Sequence, residues 1–450
     1  MDSVAESLSR PSAAEPPEAK PRARTRKVRA RPTKPVLGPW LRAQSINLTR
    51  HAAALRPFRR EEFGPGAASP SEGHIQAVNG LLKSLRRGLL KMSGRVTAAS
   101  RRAQREPRTE LLSEVVRRKD RAQHWVQGTE RIWDFYFELF GQRQSQYADW
   151  LLSCDRIALD CYQAAYTGLG TARSVPAPPP FCYMRTGFAP ATFRRGIPLR
   201  RLGKQINPFP LVQLPYHRLV NPWTLGAMLH ETSHNLQSDL GLSRDIPRNI
   251  ARALLDAQVP KSVAKIWTRW NREMFADMSA LLLGGPEIVG ALMDVLGRAP
   301  AAVFAYRERG PHPTPYLRTL INVELLRRMG FAEDAARYRR AWIKIYPPPP
   351  AGAMPPGLLE TFPKACKIAV DVMCYRPYRS LGNKPFAEVI HFGDKEQQMT
   401  EEAARRLAAG IDPGIVPARF LIGAARIAMD RKLARPGVIA KKFYLELARR

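Results

Sequence analysis

Apolar residues recur at intervals of three, four or seven along most of the chain, which predicts a mainly helical protein. A different pattern occupies 207–219, where prolines are interleaved with apolar residues and indicate an extended edge strand. We therefore expect a mainly α fold, with a small edge sheet inside an α+β core and helical regions on either side. The helical patterns cover 76–122, 125–168, 222–330 and, with proline breaks, 331–450.

Composition divides the chain into four regions. The first 70 positions contain 10 prolines and few aromatic residues, which is typical of a disordered tail. The proline-rich stretch Ser174–Pro180 reads as a linker into the next unit. We expect a disordered basic tail over 1–73, a basic helical region over 74–173, a core over 174–330 and a helical C-terminal region over 331–450.

The charge of the chain points to polyanions as partners. The formal net charge is +33, and a field of this size binds polyanions without a specific motif. The segment Lys20–Lys34 holds eight basic residues and no acid, so it is either an arm for nucleic acid or an anionic surface, or a solvated tail. The segment Leu81–Ala122 holds 13 basic residues and 4 acids. It predicts either a polyanion-binding helix or a packed helix with a basic outer face.

Cysteine usage and hydropathy favour a cytoplasmic protein. The five cysteines are odd in number and form no CxxC pair, which is typical of reduced thiols. The N-terminus has no apolar run of the kind found in a secretory signal. The most apolar stretch, Leu281–Phe304, is interrupted by charged residues, glycines and prolines, so we expect no transmembrane segment.

One helix carries candidate metal chemistry. A helix is expected over 222–240, after Asn221 as N-cap, and it contains His230-Glu231-Thr232-Ser233-His234. Histidines four residues apart project from one helix face and can bind one Zn²⁺. Glu231 beside them can accept a proton from a water at the metal. The alternative is a pair of histidines that are hydrogen-bonded inside an ordinary helix core.

A second helix, expected over 260–283, offers the third ligand. Glu273 and Asp277 lie four residues apart among large apolar neighbours, and buried carboxylates are costly without positive partners. We expect Glu273 to bind the metal and Asp277 to orient a metal-binding imidazole. The alternative is a salt bridge from these carboxylates to Arg269 or Arg272.

Other ligand patterns fit less well. In the metzincin pattern a glycine and a histidine would follow His234, but those positions hold Gln237 and Leu240. Asp239 lies five residues after His234 and leaves the face that the histidines share, so we expect it to act as a charge or cap near the helix end.

HExxH followed by a helix with ExxxD resembles the gluzincin metallopeptidases. The segment Pro311–Arg318 is similar to the His-Pro…Arg element of the branch that contains the heat-shock membrane peptidases and the prenyl-protein peptidases. The resemblance covers about Leu211–Gly330, roughly a quarter of the chain, and the order of the elements is the same. Unlike that branch, this sequence shows no transmembrane helices.

The resemblance implies a zincin-like core and a soluble zinc metallopeptidase that acts on peptides or proteins. His230, His234 and Glu273 would hold the zinc, and Glu231 would act as the general base. His312, Tyr316 and Arg318 are then candidates to stabilise the oxyanion, although His312 is equally a cap for the helix that begins near Pro315.

In zincins an extended strand binds the substrate backbone, and 210–219 has the right place in the order for that role. Tyr216 and His217 are its candidate substrate contacts, or else ordinary surface residues. The competing function is a nucleic-acid or anionic-surface binding protein whose zinc site is structural or relic.

Overall fold

The structure, a computed structural model, describes residues 35–170, 173–187, 189–198, 205–350 and 352–450. Within these ranges the chain is mainly helical with a small three-stranded sheet, which confirms the expected fold class. The helices are α1 (Leu37–Ala54), α2 (Glu72–Arg105), α3 (Thr109–Gly141), α4 (Ala148–Leu169), α5 (Tyr216–Leu219), α6 (Gly226–Asp239), α7 (Asp245–Asp256), α8 (Lys261–Gly284), α9 (Glu287–Leu296), α10 (Pro300–Val303), α11 (Pro315–Arg328), α12 (Ala332–Ile345), α13 (Leu358–Val370), α14 (Phe386–Val389), α15 (Asp394–Ala409), α16 (Phe420–Asp430) and α17 (Pro436–Arg449). The strands are β1 (Phe181–Met184), β2 (Ala191–Phe193), β3 (Leu211–Leu214), β4 (Pro377–Tyr378) and β5 (Lys384–Pro385).

Helix α1 corrects the expected extent of the disordered tail. Disorder over the whole of 1–73 is wrong for 37–54, because Leu41, Leu48 and Ala52 are spaced seven and four residues apart and are buried in small clusters with α2 and α3. Pro39 does not prevent the helix, since it lies in the first turn where its missing N–H has no helical partner. The basic segment Lys20–Lys34 lies outside the described residues.

Helix α2 is packed against the protein with a basic outer face. Its apolar stripe, which includes Val78, Leu82 and Leu85, is buried with aromatic residues of α3 and with the first and third strands. Lys83 and Arg87 are exposed on the other side. The helix is therefore packed as the second interpretation expects, and binding of polyanions by its basic face stays a prediction.

A single hydrophobic core extends from α4 to α17, from Leu151 to Leu447. The C-terminal helix packs on α4, where the rings of Trp150 and Tyr444 are stacked with their centroids 4.7 Å apart. The boundaries expected at 173 and 330 therefore do not separate independent cores. The helices after residue 330 complete the core that surrounds α6 and α8.

The sheet has the order β1-β3-β2, with β1 parallel and β2 antiparallel to β3. The expectation of an edge strand within 207–219 is thus wrong in one respect, because β3 is the central strand. The prolines flank the four paired residues Leu211–Leu214 and leave every N–H of the strand available for pairing. The short strand β2 is an edge strand, and it lies beside α6.

The turn between α8 and α9 requires glycine. Gly285 has a φ of +80° and a ψ of −168°, a conformation essentially restricted to glycine. An added Cβ there would lie 2.2 Å from the ring of Phe392. This turn ends α8 and directs α9 back toward α6. The apolar stretch Leu281–Phe304 is consequently divided among three helices, and no helix in the described part of the chain is long and apolar enough to cross a membrane.

We predict that Gly285→Ala lowers the free energy of unfolding by about 2–5 kcal/mol, because the substitution adds backbone strain and overpacks the ring of Phe392. Urea unfolding monitored by circular dichroism measures the change. Gly330→Ala is the matched control, because Gly330 has a φ of +102° but nothing within 4 Å of an added Cβ. It is expected to cost only the strain, about 1–2 kcal/mol. Equal losses in the two variants would show that the Phe392 contact does not matter.

Candidate metal centre

Three potential metal ligands from two helices meet at one point. Nε2 of His230 lies 3.1 Å from Nε2 of His234 and 3.4 Å from Oε2 of Glu273. Nε2 of His234 lies 3.5 Å from Oε1 of Glu273. Zinc binds nitrogen and oxygen at about 2.0–2.2 Å, so neighbouring ligands of a tetrahedral site are about 3.3–3.6 Å apart. The two distances to Glu273 end on different carboxylate oxygens, so they approach this spacing without defining a single tetrahedron. These three side chains could hold a metal ion, because one ligand atom from each lies within 4.8 Å of the others.

The local sequence explains this convergence. The four-residue spacing on α6 brings the two imidazoles to one face, where their centroids are 4.7 Å apart and their planes nearly perpendicular. Helix α8 packs against α6, and an added Cβ at Gly284 would lie 2.8 Å from Leu229. This close approach brings the carboxylate of Glu273 within reach of both rings.

Asp277 makes the contact that the sequence predicted for it. One carboxylate oxygen accepts a hydrogen bond from Nδ1 of His230 at 2.7 Å, which leaves Nε2 of that ring facing His234 and Glu273. Burial lowers the pKa of His230, but Asp277 and Glu273 outweigh burial and raise it to about 9. Burial, reinforced by the charge of His230, lowers the pKa of His234 to about 3. That Asp277 orients a metal ligand stays a prediction.

Arg318 of α11 balances the buried carboxylates. Its Nε donates to Oδ2 of Asp277 at 2.5 Å, and a second nitrogen donates to Oδ1 at 2.8 Å, a bidentate pair. The same guanidinium lies 3.8 Å from Oε2 of Glu273. Burial alone would raise the pKa of Asp277, but Arg318 and then His230 lower it to about 2.

The alternative salt bridge to Arg269 or Arg272 is wrong, because the partner comes from another helix. Arg269 instead donates to the carbonyl oxygen of Gly310 at 3.0 Å and to the hydroxyl of Tyr306 at 3.1 Å. Arg272 is exposed and forms no ion pair with Glu273 or Asp277. Arg318 was expected as an oxyanion donor, and its bonds to Asp277 give it a positioning role.

Glu231 lies between the two histidines in the sequence and is itself buried. Burial raises its pKa to about 7, with the carboxylate of Glu273 adding to the shift and His230 opposing it. It lines the same cavity as the three potential ligands. A buried carboxyl group with a pKa near neutrality can both accept and release a proton, as a general base requires.

His312 lies at the rim of this site. Its side chain is 57% exposed, and its Nε2 lies 3.1 Å from Oε2 of Glu273. The capping alternative is not what the structure shows, since the N-cap of α11 is Thr314 and no side chain caps that end. His312 is therefore placed where it can reach a bound substrate.

Tyr316 is not part of the site, which corrects its expected catalytic role. Its ring is buried against Phe304, with centroids 5.4 Å apart, and it does not line the cavity. Residues two apart on a helix point about 200° away from each other. Since Arg318 faces the site, Tyr316 faces the core behind α11.

Three other residues considered in the sequence also lie elsewhere. Tyr216 and His217 belong to α5, where the half-exposed ring of Tyr216 packs on Tyr147 and Trp150, and neither lines the cavity. Asp239 accepts a hydrogen bond from the hydroxyl of Tyr162 at 2.7 Å. Its position near the end of α6 agrees with a structural role.

The potential metal ligands open into a cavity of about 400 Å³ with two different sides. One side is apolar and comes from the start of α6, the end of α8 and from α9. The other side is more polar and lies at the far ends of α6 and α8 and along β2. The lining residues of the first side are Gly226, Ala227, Ala280, Leu281, Ile288, Val289, Leu292 and Val295, and those of the other side include Thr192, Arg194, Gln237 and Arg272 together with the apolar Ala189, Pro190 and Ala191.

Sequence reasoning missed several residues of this cavity. Strand β2 has only three residues, too few for a periodic pattern. The stretch that forms α9 lies within the helical pattern expected over 222–330, but that pattern does not show which cavity the helix lines. The sequence does not identify Arg194 and Arg272 as site residues, because isolated arginines are common in a strongly basic chain.

Comparison with known proteins gives no match. No protein-family model matches the chain, and searches of curated proteins and of solved structures find no similar protein. The resemblance to gluzincins therefore rests on the motif residues alone.

We predict that Arg318→Met lowers the free energy of unfolding by about 3 kcal/mol or more in the presence of a chelator, because it leaves the buried carboxylate of Asp277 without its partner. Urea unfolding measures the change. Arg327→Met on the same helix is the control, since Arg327 pairs with Glu324 at the surface and its loss should cost less than about 1 kcal/mol. A small loss in both variants would contradict the assigned charge balance.

Proposed function

We propose that the protein is a zinc-dependent peptide-bond hydrolase with His230, His234 and Glu273 as the metal ligands. The observation that carries the proposal is that one ligand atom from each of the three side chains lies within 4.8 Å of the others, beside the buried carboxyl group of Glu231. Two nitrogens and one carboxylate oxygen are a ligand set typical of catalytic zinc, which keeps one position for water or substrate. The order HExxH, ExxxD and His-Pro…Arg supports the same assignment.

Each residue of the site has a distinct part in this mechanism. Zinc held there would supply a Lewis acid that polarises a peptide carbonyl and lowers the pKa of water. Glu231 accepts the proton of the attacking water and delivers it to the leaving amine. His312 at the rim donates a hydrogen bond to the substrate's carbonyl oxygen as negative charge develops on it. Asp277 and Arg318 are positioning residues that hold the ring of His230.

The surroundings suit a peptide in an extended conformation. Strand β2 is at the edge of the sheet, and Ala191 and Thr192 line the cavity. An edge strand offers backbone N–H and carbonyl groups to which a peptide can add as another strand. The sequence predicts this role for the segment 210–219. Because the strand in that segment is central in the sheet, we propose β2 for the role instead.

We further propose that the enzyme works in the cytoplasm. All five cysteines are free and buried, the state expected where thiols are kept reduced. The competing hypothesis is a polyanion-binding protein with a structural or relic zinc site. It is supported by the net charge of +33 and by the basic segment Lys20–Lys34, which lies outside the described residues. The peptidase hypothesis is preferred because it rests on a specific arrangement of side chains.

The proposed metal site makes a prediction about the zinc content of the purified protein. Purified wild-type protein is expected to hold about one zinc per chain, and the His230→Ala, His234→Ala double variant close to none, as measured by elemental mass spectrometry. The control is His124→Ala, His217→Ala, which removes two histidines outside the site and should keep the zinc. A wild-type protein without zinc after reconstitution, or equal zinc in both double variants, would remove the basis of the proposal.

The second prediction separates binding from catalysis. Glu231→Gln should retain zinc and lose about 10²–10⁴-fold in the hydrolysis of a casein or peptide-mixture substrate, because the general base is gone. Mass spectrometry of the fragments measures the rate. Glu333→Gln, a change of the same type in the first turn of α12, should leave the rate unaltered. An active Glu231→Gln enzyme would exclude the assigned mechanism.

A further inference from the structure

The cavity around the potential metal ligands has a charge gradient. Along α6 the lining changes from Gly226 and Ala227 at one end to Gln237 at the other, three turns away. Along α8 it changes from Leu281 to Arg272. Because the apolar ends of both helices meet, and the polar ends meet opposite them, the ligands lie between an apolar and a cationic side.

Two arginines form the cationic side. Arg194 follows directly after β2 and is half-buried, and Arg272 precedes Glu273 on α8 and is exposed. Burial, together with the charge of Arg272, lowers the pKa of Arg194. Both side chains line the same cavity, although they come from the end of a strand and from a helix 78 positions apart in the sequence.

Neither guanidinium group has an ion-pair partner in the part of the chain that the structure describes. Asp239 acts on Arg194 at longer range, but its carboxylate is already hydrogen-bonded to Tyr162. Arg419, which is also partly buried, is by contrast paired with Asp160 at 2.9 Å. Two like charges beside a cavity, without an acid between them, form a binding site for an anion.

The acids of the cavity do not fill this role. Glu273 and Asp277 are engaged with the histidines and with Arg318, and Glu231 is buried beside His230 in the sequence of α6. An anion bound by the two arginines would therefore have to come with the substrate. A planar carboxylate matches the guanidinium fork and can accept from both side chains at once.

We propose that Arg194 and Arg272 bind a carboxylate of the substrate, close to the peptide bond that is cleaved. This proposal rests on the proposed function and deepens it, because it restricts the substrates to peptides with a negative charge beside the scissile bond. The carboxylate comes either from the C-terminus of the peptide or from an aspartate or glutamate side chain. The first source would make the enzyme a carboxypeptidase, and the second an endopeptidase with a preference for acidic residues.

The test measures binding by the zinc-loaded Glu231→Gln protein, which does not turn over its ligand. Three mixtures of randomised acetylated pentapeptides are applied to the immobilised protein, and the retained peptides are quantified by mass spectrometry. The first mixture has a free C-terminal carboxylate and no acidic side chains. The second has a C-terminal carboxamide and no acidic side chains. The third is the carboxamide mixture with one glutamate at a random position.

We expect the first or the third mixture to be retained about tenfold or more above the second, the difference that one to two charge-assisted hydrogen bonds confer. Adding Arg194→Gln and Arg272→Gln should remove this difference. Arg248→Gln with Arg252→Gln is the charge-matched control, since both are exposed on α7 outside the cavity, and it should keep the difference. Preference for the first mixture identifies a C-terminal carboxylate, and preference for the third an acidic side chain.

Equal retention of all three mixtures, including no retention of any, would overturn the carboxylate site. So would a preference that survives in the Arg194→Gln, Arg272→Gln variant. Cleavage of the same mixtures by the wild-type enzyme distinguishes the two proposals. Cleavage without preference for carboxylates leaves the hydrolase and removes the subsite, whereas arginine-dependent retention without cleavage leaves the subsite and removes the hydrolase.

Discussion

The buried charges between α6, α8 and α11 are the interaction on which the arrangement of the candidate site depends. Asp277 is enclosed by large apolar residues of α8, where an unpaired carboxylate would cost several kcal/mol. The bidentate bond from Arg318 and the hydrogen bond from His230 compensate for that cost. Because the three partners come from three helices, satisfying one carboxylate fixes how those helices pack.

The rest of the core supports this contact. The glycines that end α8 permit its close approach to α6 and the sharp turn into α9, so that α9 becomes a wall of the cavity. The helices after residue 330 enclose α8 from the other side and keep its apolar face from water. A site of three helices in the middle of the chain thus relies on helices at its C-terminal end, which explains why one core spans most of the described residues.

The sequence was sufficient for the features that depend on local spacing. The helices around 230 and 273, the meeting of His230, His234 and Glu273, and the contact of Asp277 all follow from four-residue intervals on two amphipathic helices. The partner of Asp277 could not be predicted from local spacing, because Arg318 lies 41 positions away in the sequence and on another helix. The rotation of α11 that removes Tyr316 from the site is likewise a property of packing. The short strand β2 could not be predicted, because three residues are too few to show a periodic hydrophobic pattern.

The balance of charges gives a further physical reason for a divalent ion at this place. Glu231, Glu273 and Asp277 bring three negative charges into a buried region, and Arg318 returns one positive charge. With neutral imidazoles the protein groups are therefore short of two positive charges. The pKa of His230, which its carboxylate partners raise to about 9 against the effect of burial, reflects that shortage, whereas the pKa of Glu231 is raised to about 7 by burial. A divalent cation supplies both at once, and it does so at the point where the two nitrogens and the carboxylate oxygen converge. A lysine or a single arginine could not, because each brings one charge. The composition of the cluster thus favours a divalent ion over a singly charged group in the proposed site.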